Sequence, residues 1–565
     1  LELNFSNLKV PTVPVTKMVF IYACLCSASF MQVQDSAAPG VVSGVVINKL
    51  NEAPVKNAHV IYTKIDPAAA GTSSSISKDT DAEGQFSLQL PPGSYRVWVE
   101  RSGFARQVYG ALSPSGEGTV LTLERGQHLG QITFRVVPLG AIAGRVVDEE
   151  GEPVQSAGIQ VLRLSYANGR RQLISVAGAT SNDRGEYRVF GLRAGRYLLQ
   201  ASLPSAPMSK PFETGALIPE AQDPYAASYY PGVIDVDSGS SVSLSEGSEL
   251  SNIDFQLHKI HAVSVRGHLL SPVDKLSSSQ IQVVLAHNEG GVASYIDRAA
   301  AFVDPATGKF EIRGVSPGSY LLVASQLFAG RPLGGRVPLE VSAAAREEVA
   351  LPLAPAFDVI GTVEFEGAPR GRVPNLTVRL VSSEGLALGP LPSSKVGSDG
   401  SIRLAGVTPG RWMLSIDLLP EGLWLKTETF AGNELVAGEL SLTESARGQL
   451  RIVLAGNGAQ IAGTVSVNNL PCRATVVLVP AAPELRIAHQ MYRVTNTTER
   501  GLFTLKGVHP GSYMLFAFQE IEPFEWFNPE QLKMVDELGS PITVSEGEHA
   551  LRDIVAVSPQ ALLPH

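Results

Sequence analysis

Ten histidines and three cysteines are the side chains of this 565-residue chain best suited to holding a transition metal. A zinc peptidase needs an H-x-x-E pair with a distant third ligand, or an H-E-x-x-H helix. None of His59, His128, His258, His261, His268, His287, His489, His509, His549 and His565 is followed by Glu at the third place. His258 and His261 are three apart, which on a strand sends them to opposite faces. Cys24 and Cys26 lie in an N-terminal apolar segment, so its removal leaves Cys472 alone, too few for an internal disulfide or a zinc site. Asp79-Thr80-Asp81-Ala82-Glu83-Gly84 begins like a calcium loop, yet Leu90 stands where the bidentate carboxylate belongs, so a turn is expected there. No G-x-S-x-G, no P-loop and no G-x-G-x-x-G between strand and helix occurs. The chain is therefore read as non-enzymatic, with no catalytic, metal-binding or cofactor-binding residue assigned.

Two aromatic clusters are the candidates for ligand contact. Tyr225, Tyr229 and Tyr230 fall in a long insertion, ahead of Pro231-Gly232; Phe524, Trp526 and Phe527 precede a short helix. That helix is expected to have Asn528 as cap, Pro529 first, Gln531 completing a capping box and Gly539 at its end, with Leu532, Val535 and Leu538 docking it. Exposed aromatics on loops stack on sugar rings or form protein interfaces. The competing reading, preferred because a docked helix needs aromatic cover, is that both clusters cap the open ends of their domains.

The elements that would position these clusters are repeated. The segment Gly501 to Phe516, GLFTLKGVHPGSYMLF, recurs as EGQFSLQLPPGSYRVWV, RGEYRVFGLRAGRYLLQA, TGKFEIRGVSPGSYLLVA and DGSIRLAGVTPGRWMLSI. Each copy has a turn glycine (Gly84, Gly185, Gly308, Gly400, Gly501), an alternating strand, a second turn (Gly93, Gly195, Gly318, Gly410, Gly511) and another strand. The copy is read as a hairpin. Two residues past the second glycine stands an aromatic (Tyr95, Tyr197, Tyr320, Trp412, Tyr513), expected to pack at the sheet's end with its polar atom on a backbone group. An opening glycine (Gly44, Gly144, Gly267, Gly361, Gly463) precedes the second-turn glycine by 48 to 51 residues in every unit. Successive second-turn glycines lie 102, 123, 92 and 101 residues apart, a period of domains on a string rather than of a solenoid.

Composition agrees. Hydrophobic residues are 44%, enough for a core in each unit, and the 92 Gly and Pro suit an all-β chain rich in turns. A net charge of −9 over five units offers no basic face, so no nucleic-acid partner is expected. Residues 1–38 read as an export signal and short spacer: Lys9 and Lys17, the apolar run Met18 to Leu25, then small residues. Lipidation at Cys24 is the lesser alternative, since Tyr22 fits such a site poorly, and no transmembrane segment is expected once the signal is removed. The expected fold is an all-β tandem array of about five transthyretin- or Ig-like β-sandwich domains: 39–138, 139–258, 259–354, 355–456 and 457–558, then a tail. Because linkers are almost absent, a semi-rigid rod is expected.

These residues resemble the carboxypeptidase regulatory-like domain, a transthyretin-like β-sandwich family. Unit one carries Ala53-Pro54, Ala58-His59-Val60, Thr80-Asp81, Gly84-Gln85-Phe86 and Leu90 to Tyr95; unit two carries Gly151-Glu152-Pro153-Val154, Ala157, Asn182-Asp183, Gly185-Glu186-Tyr187 and Leu192 to Tyr197. Units three to five keep the repeated segment but blur the part containing proline. The resemblance implies exported or cell-surface bacterial proteins with a carbohydrate-binding-like fold, and it names no activity. The expected role is an exported structural or adhesive scaffold of the cell envelope, periplasmic, outer-surface or secreted, whose partner is a protein or a polysaccharide. A carbohydrate-binding protein using the aromatic loops, and an accessory chain of a separate peptidase or transporter, are the alternatives.

Overall fold

The computed structural model describes residues 38–562 apart from 66–74, 113–117, 168–169, 204–224, 260–262, 272–280, 290–291, 305, 329–330, 343–347, 368–374, 418, 421 and 444–447. The expected export signal lies outside the described residues. The protein is all-β, built as five successive two-sheet sandwiches, each with its own apolar core.

The opening strand is the centre of one sheet in every sandwich. In the first, Gly40–Asn48 is flanked by Gln85–Leu90, antiparallel, and by the closing strand His128–Val136, parallel. The same parallel pairing joins Val263–Leu270 to Glu348–Pro352 and Phe357–Glu366 to Leu450–Ala455. In the second and fifth sandwiches the closing strand is broken in two, as Glu249–Leu250 with Phe255–Gln256 and His549–Leu551 with Ile554–Val555. At each break an aspartate takes over from the ladder: Arg145 N donates to Asp254 Oδ1 at 2.8 Å and Thr464 N to Asp553 Oδ1 at 2.7 Å.

The opening glycines explain why this pairing is possible. A Cβ at Gly44, Gly144, Gly267, Gly361 or Gly463 would stand 2.0 to 2.1 Å from a carbonyl oxygen of the closing chain, namely that of Ile132, Ile253, Val349, Leu450 or Arg552. No side chain fits there, so the glycine is required by close backbone approach.

The repeated segment is not a hairpin. Gln85–Leu90 lies in one sheet of its sandwich and Gly93–Glu100 in the other, and the same division holds in all five units. The Pro-Gly turn is thus a corner that carries the chain across the core. A hairpin turn must twist two strands into one ladder. Here the second-turn glycines have φ between +150° and +157°, a backbone that swings the next strand out of the first sheet. Alternation on both sides of the corner then faces one core: Phe86, Leu90, Tyr95, Val97 and Val99 are all buried together.

The units do not form a rod. Arg473 of the fifth sandwich donates to the Gly110 carbonyl of the first, and Arg163 of the second reaches Glu525 and Glu522 of the fifth at 3.3 and 3.9 Å. The chain folds back so that its last sandwich meets its first two. Short linkers limit tumbling but set no straight path.

Gly44→Ala is expected to destabilise the first sandwich by about 3 kcal/mol or more, because the backbones must part. Gly126→Ala, at φ +62° with nothing within 4 Å of its Cβ, should cost only about 1 kcal/mol. Hydrogen exchange of the Gly40–Asn48 amides in the two variants measures the difference.

Candidate functional site

The five corner aromatics close the corners. Tyr95, Tyr197, Tyr320 and Tyr513 each donate their hydroxyl to the carbonyl four residues earlier, on Pro91, Arg193, Ser316 and His509, at 2.6 to 2.9 Å. Trp412 does the same with Nε1 to the Thr408 carbonyl at 2.9 Å. All five are buried, and burial pushes the Tyr513 hydroxyl up to about 12. Their geometry is that of structural anchors, each tied back to the backbone of its own corner.

A second anchor was not read from the sequence. Thr80, buried, donates Oγ1 to the Val55 carbonyl at 2.6 Å and accepts from Ala58 N at 2.9 Å. Ser181 repeats this with Val154 and Ala157, and Thr497 with Cys472 and Ala474. The fifth sandwich therefore keeps the proline-containing segment, as Pro471-Cys472-Arg473-Ala474, shortened by one residue between Pro and Ala. Its turn glycine, Gly501, faces Pro471 as Gly84 faces Pro54. A small hydroxyl residue four places before the turn glycine, as Thr80, Ser181 and Thr497 stand before Gly84, Gly185 and Gly501, is the signal that could have found it.

The tyrosines of the second sandwich fill its own sides. Tyr229 is 5% exposed and packs with Leu162 and Val236 on the outer face of a sheet, while Gln200 Nε2 donates to its hydroxyl at 3.3 Å. Tyr230 lies edge-on to the core residue Phe255, centroids 5.9 Å apart. Tyr225, half-buried, donates to Asp148 at 3.3 Å with the Lys259 ammonium 5.9 Å from its ring.

The aromatics of the fifth sandwich build an outer apolar layer. Phe527 stacks on His489 at 4.1 Å and meets Tyr492 edge-on at 4.7 Å; Trp526 packs on the same cluster, with its Nε1 buried and without a protein partner. Burial pushes the His489 imidazole down to about 4. The helix Pro529–Val535 is capped by Asn528, whose side chain accepts from Glu530 N, and docks through Leu532 and Val535. Two expectations fail here. Gln531 Oε1 is buried without a partner, so no capping box closes, and Leu538, in the 3-10 turn Asp536–Leu538, is 53% exposed. The tighter turn rotates Leu538 off the helix's apolar stripe. Phe524, at φ +73°, is 53% exposed and is the one candidate aromatic that is more than half open. The neighbouring Glu525 carboxyl is pushed up by burial and held by Arg163 of the second sandwich.

No cluster of three His, Cys, Asp or Glu suited to a metal occurs among the described residues. His258 and His268 stand instead beside Glu149 and Glu348, at 3.3 and 3.8 Å; His261 lies outside the described residues. Asp81 closes its own turn, accepting from Glu83 N and Gln85 N. Cys472 is partly buried on the fifth core. A cleft of about 860 Å³ between the third and fourth sandwiches is walled by Pro332, Leu388, Pro390 and Pro392, with Arg403 paired to Asp358 beside it. Among the described residues no helix is long and apolar enough to cross a membrane.

Residues 41–136 and 141–228 match the model of the carboxypeptidase regulatory-like domain. The chain carries two carboxypeptidase regulatory-like domains. They are its first two sandwiches, and no catalytic domain is identified beside them. The search of curated proteins gives no match. Among solved structures, the minor pilin GBS52 of Streptococcus agalactiae is 12% identical with a TM-score of 0.22, covering 39% of this chain and 96% of the pilin. The shaft pilin SpaA from Lactobacillus rhamnosus GG is 12% identical, TM-score 0.21, covering 40% and 98%. The Bacillus anthracis TIE protein is 13% identical, TM-score 0.14, covering 74% of each chain.

In the first carboxypeptidase regulatory-like domain, Thr80→Val leaves Ala58 N–H and the Val55 carbonyl without partners. The expected loss is about 1–3 kcal/mol, with Thr80→Ser close to wild type. Denaturant unfolding followed by exchange of the Ala58 amide checks it.

Proposed function

We propose that this protein is an exported, non-enzymatic scaffold of the cell envelope, structural or adhesive, that holds its loops in fixed relative positions for a protein partner. The observation that carries the reading is the return of the fifth sandwich onto the first two through Arg163 and Arg473. A chain meant only to span distance gains nothing from such contacts, whereas a platform does. Polar, part-buried pairs of this kind favour one arrangement over its alternatives more than they add stability. The export reading is supported by the basic and apolar pattern of residues 9 to 29.

Carbohydrate binding by the aromatic clusters is the second reading, and Phe524 is what favours it. Tyr229 is buried, Trp526 and Phe527 serve the helix, and a sugar ring needs an open aromatic face. Passage of the chain over a panel of soluble and insoluble polysaccharides separates the two. The scaffold reading expects no retention, with Phe524→Ala eluting like wild type. Retention of wild type that is lost in a folded Phe524→Ala variant would replace the scaffold by a glycan binder.

A further inference from the structure

The sandwiches of this chain are joined by two kinds of contact. Where the third meets the fourth, the contact is apolar: Leu386 of the fourth packs on Ala286, Leu321 and Val323 of the third. Where the fifth returns to the first and second, it is polar. Among the described residues, every apolar cluster of the first, second and fifth sandwiches is made of that sandwich's own side chains.

The polar contact is a match of charge. The segment Glu520 to Glu525 of the fifth sandwich carries three carboxylates in six residues and no cation. Arg163 of the second reaches two of them, Glu525 at 3.3 Å and Glu522 at 3.9 Å, and the three side chains keep 22% to 33% of their surface open. Against the pull of burial, Glu246 of the second sandwich first, and then Glu520, raise the Lys49 ammonium of the first. Arg473 adds a bond to the Gly110 carbonyl, while its charge is met at 3.4 Å by Glu499 of its own sandwich. Three sandwiches thus meet where an acidic segment faces two cations.

We propose, resting on the scaffold reading, that this return contact is an electrostatic latch: closed at physiological ionic strength, and opened by screening so that the fifth sandwich swings free. Part-open ion pairs each gain little. They lose it when the screening length falls from about 8 Å at 0.15 M to about 3 Å at 1 M salt. Burial pushes the Glu525 carboxyl up in spite of Arg163, so the pair does not fully repay the desolvation of that carboxylate. Salt removes the attraction and leaves the desolvation in place, which tips the balance toward opening. No shared apolar cluster stands behind the latch to hold it. The contact between the third and fourth sandwiches buries apolar side chains instead and does not depend on charge.

Small-angle scattering of the full chain at about 0.02, 0.15 and 1 M sodium chloride tests this, with Arg163→Glu and the charge swap Arg163→Glu/Glu525→Arg beside wild type. Wild type should be compact at the two lower concentrations and lengthen at the highest, the closed-to-open ratio falling about tenfold. Arg163→Glu should be lengthened already at the lowest. The swap should close it again, which a variant that merely misfolds does not do. Wild type compact at all three, Arg163→Glu as compact as wild type, or a swap that stays lengthened would overturn the latch and leave the scaffold reading untouched. Wild type extended at every concentration would overturn both.

Discussion

Everything in this fold depends on one close approach of backbone to backbone. The opening strand of each sandwich accepts the closing strand in parallel at a separation that no Cβ tolerates, so a glycine stands at that point five times. Parallel pairing needs a long connection between the two strands. The second sheet and its corner are that connection. The turn glycines, the Pro-Gly corner and the corner aromatic then follow as the means of leaving one sheet, crossing the core and anchoring in the other.

Because closing and opening strands of neighbouring units follow one another with few residues between, the sandwiches touch wherever the chain passes from one to the next. Lys49 meets Glu246 between the first and second, Arg336 lies over Trp412 with Glu384 beside it between the third and fourth, and Trp424 meets His509 between the fourth and fifth. Leu386 inserts against Ala286, Leu321 and Val323 at the third junction. Burial of such a side chain is worth about 1.5–3 kcal/mol, enough to bias orientation. The aromatic clusters belong to the same economy of packing: they cover outer sheet faces that would otherwise be wet.

The landmarks legible in the sequence were those demanded by the backbone itself, which is why their spacing held through units whose other residues drifted. What lay between landmarks was less legible. Pro-Gly signals a turn whether the chain doubles back or crosses a core, so only the sheet partners of Gly93–Glu100 distinguish corner from hairpin. One deleted residue between Pro471 and Ala474 hid the proline-containing segment of the fifth sandwich. Leu538 fell on the expected stripe, but a tightened last turn moved it outward. The fold-back had no local signal at all, since Arg163 and Glu525 are 362 residues apart. For the candidate site, residue type singled out the aromatics, while burial, a tertiary property, decides how little of them is open.

Small-angle X-ray scattering of the full chain tests most directly whether the fifth sandwich closes on the first and second. Fold-back gives a distance distribution with a single compact maximum and a short end. A distribution with the long, linear tail of five units end to end would contradict it.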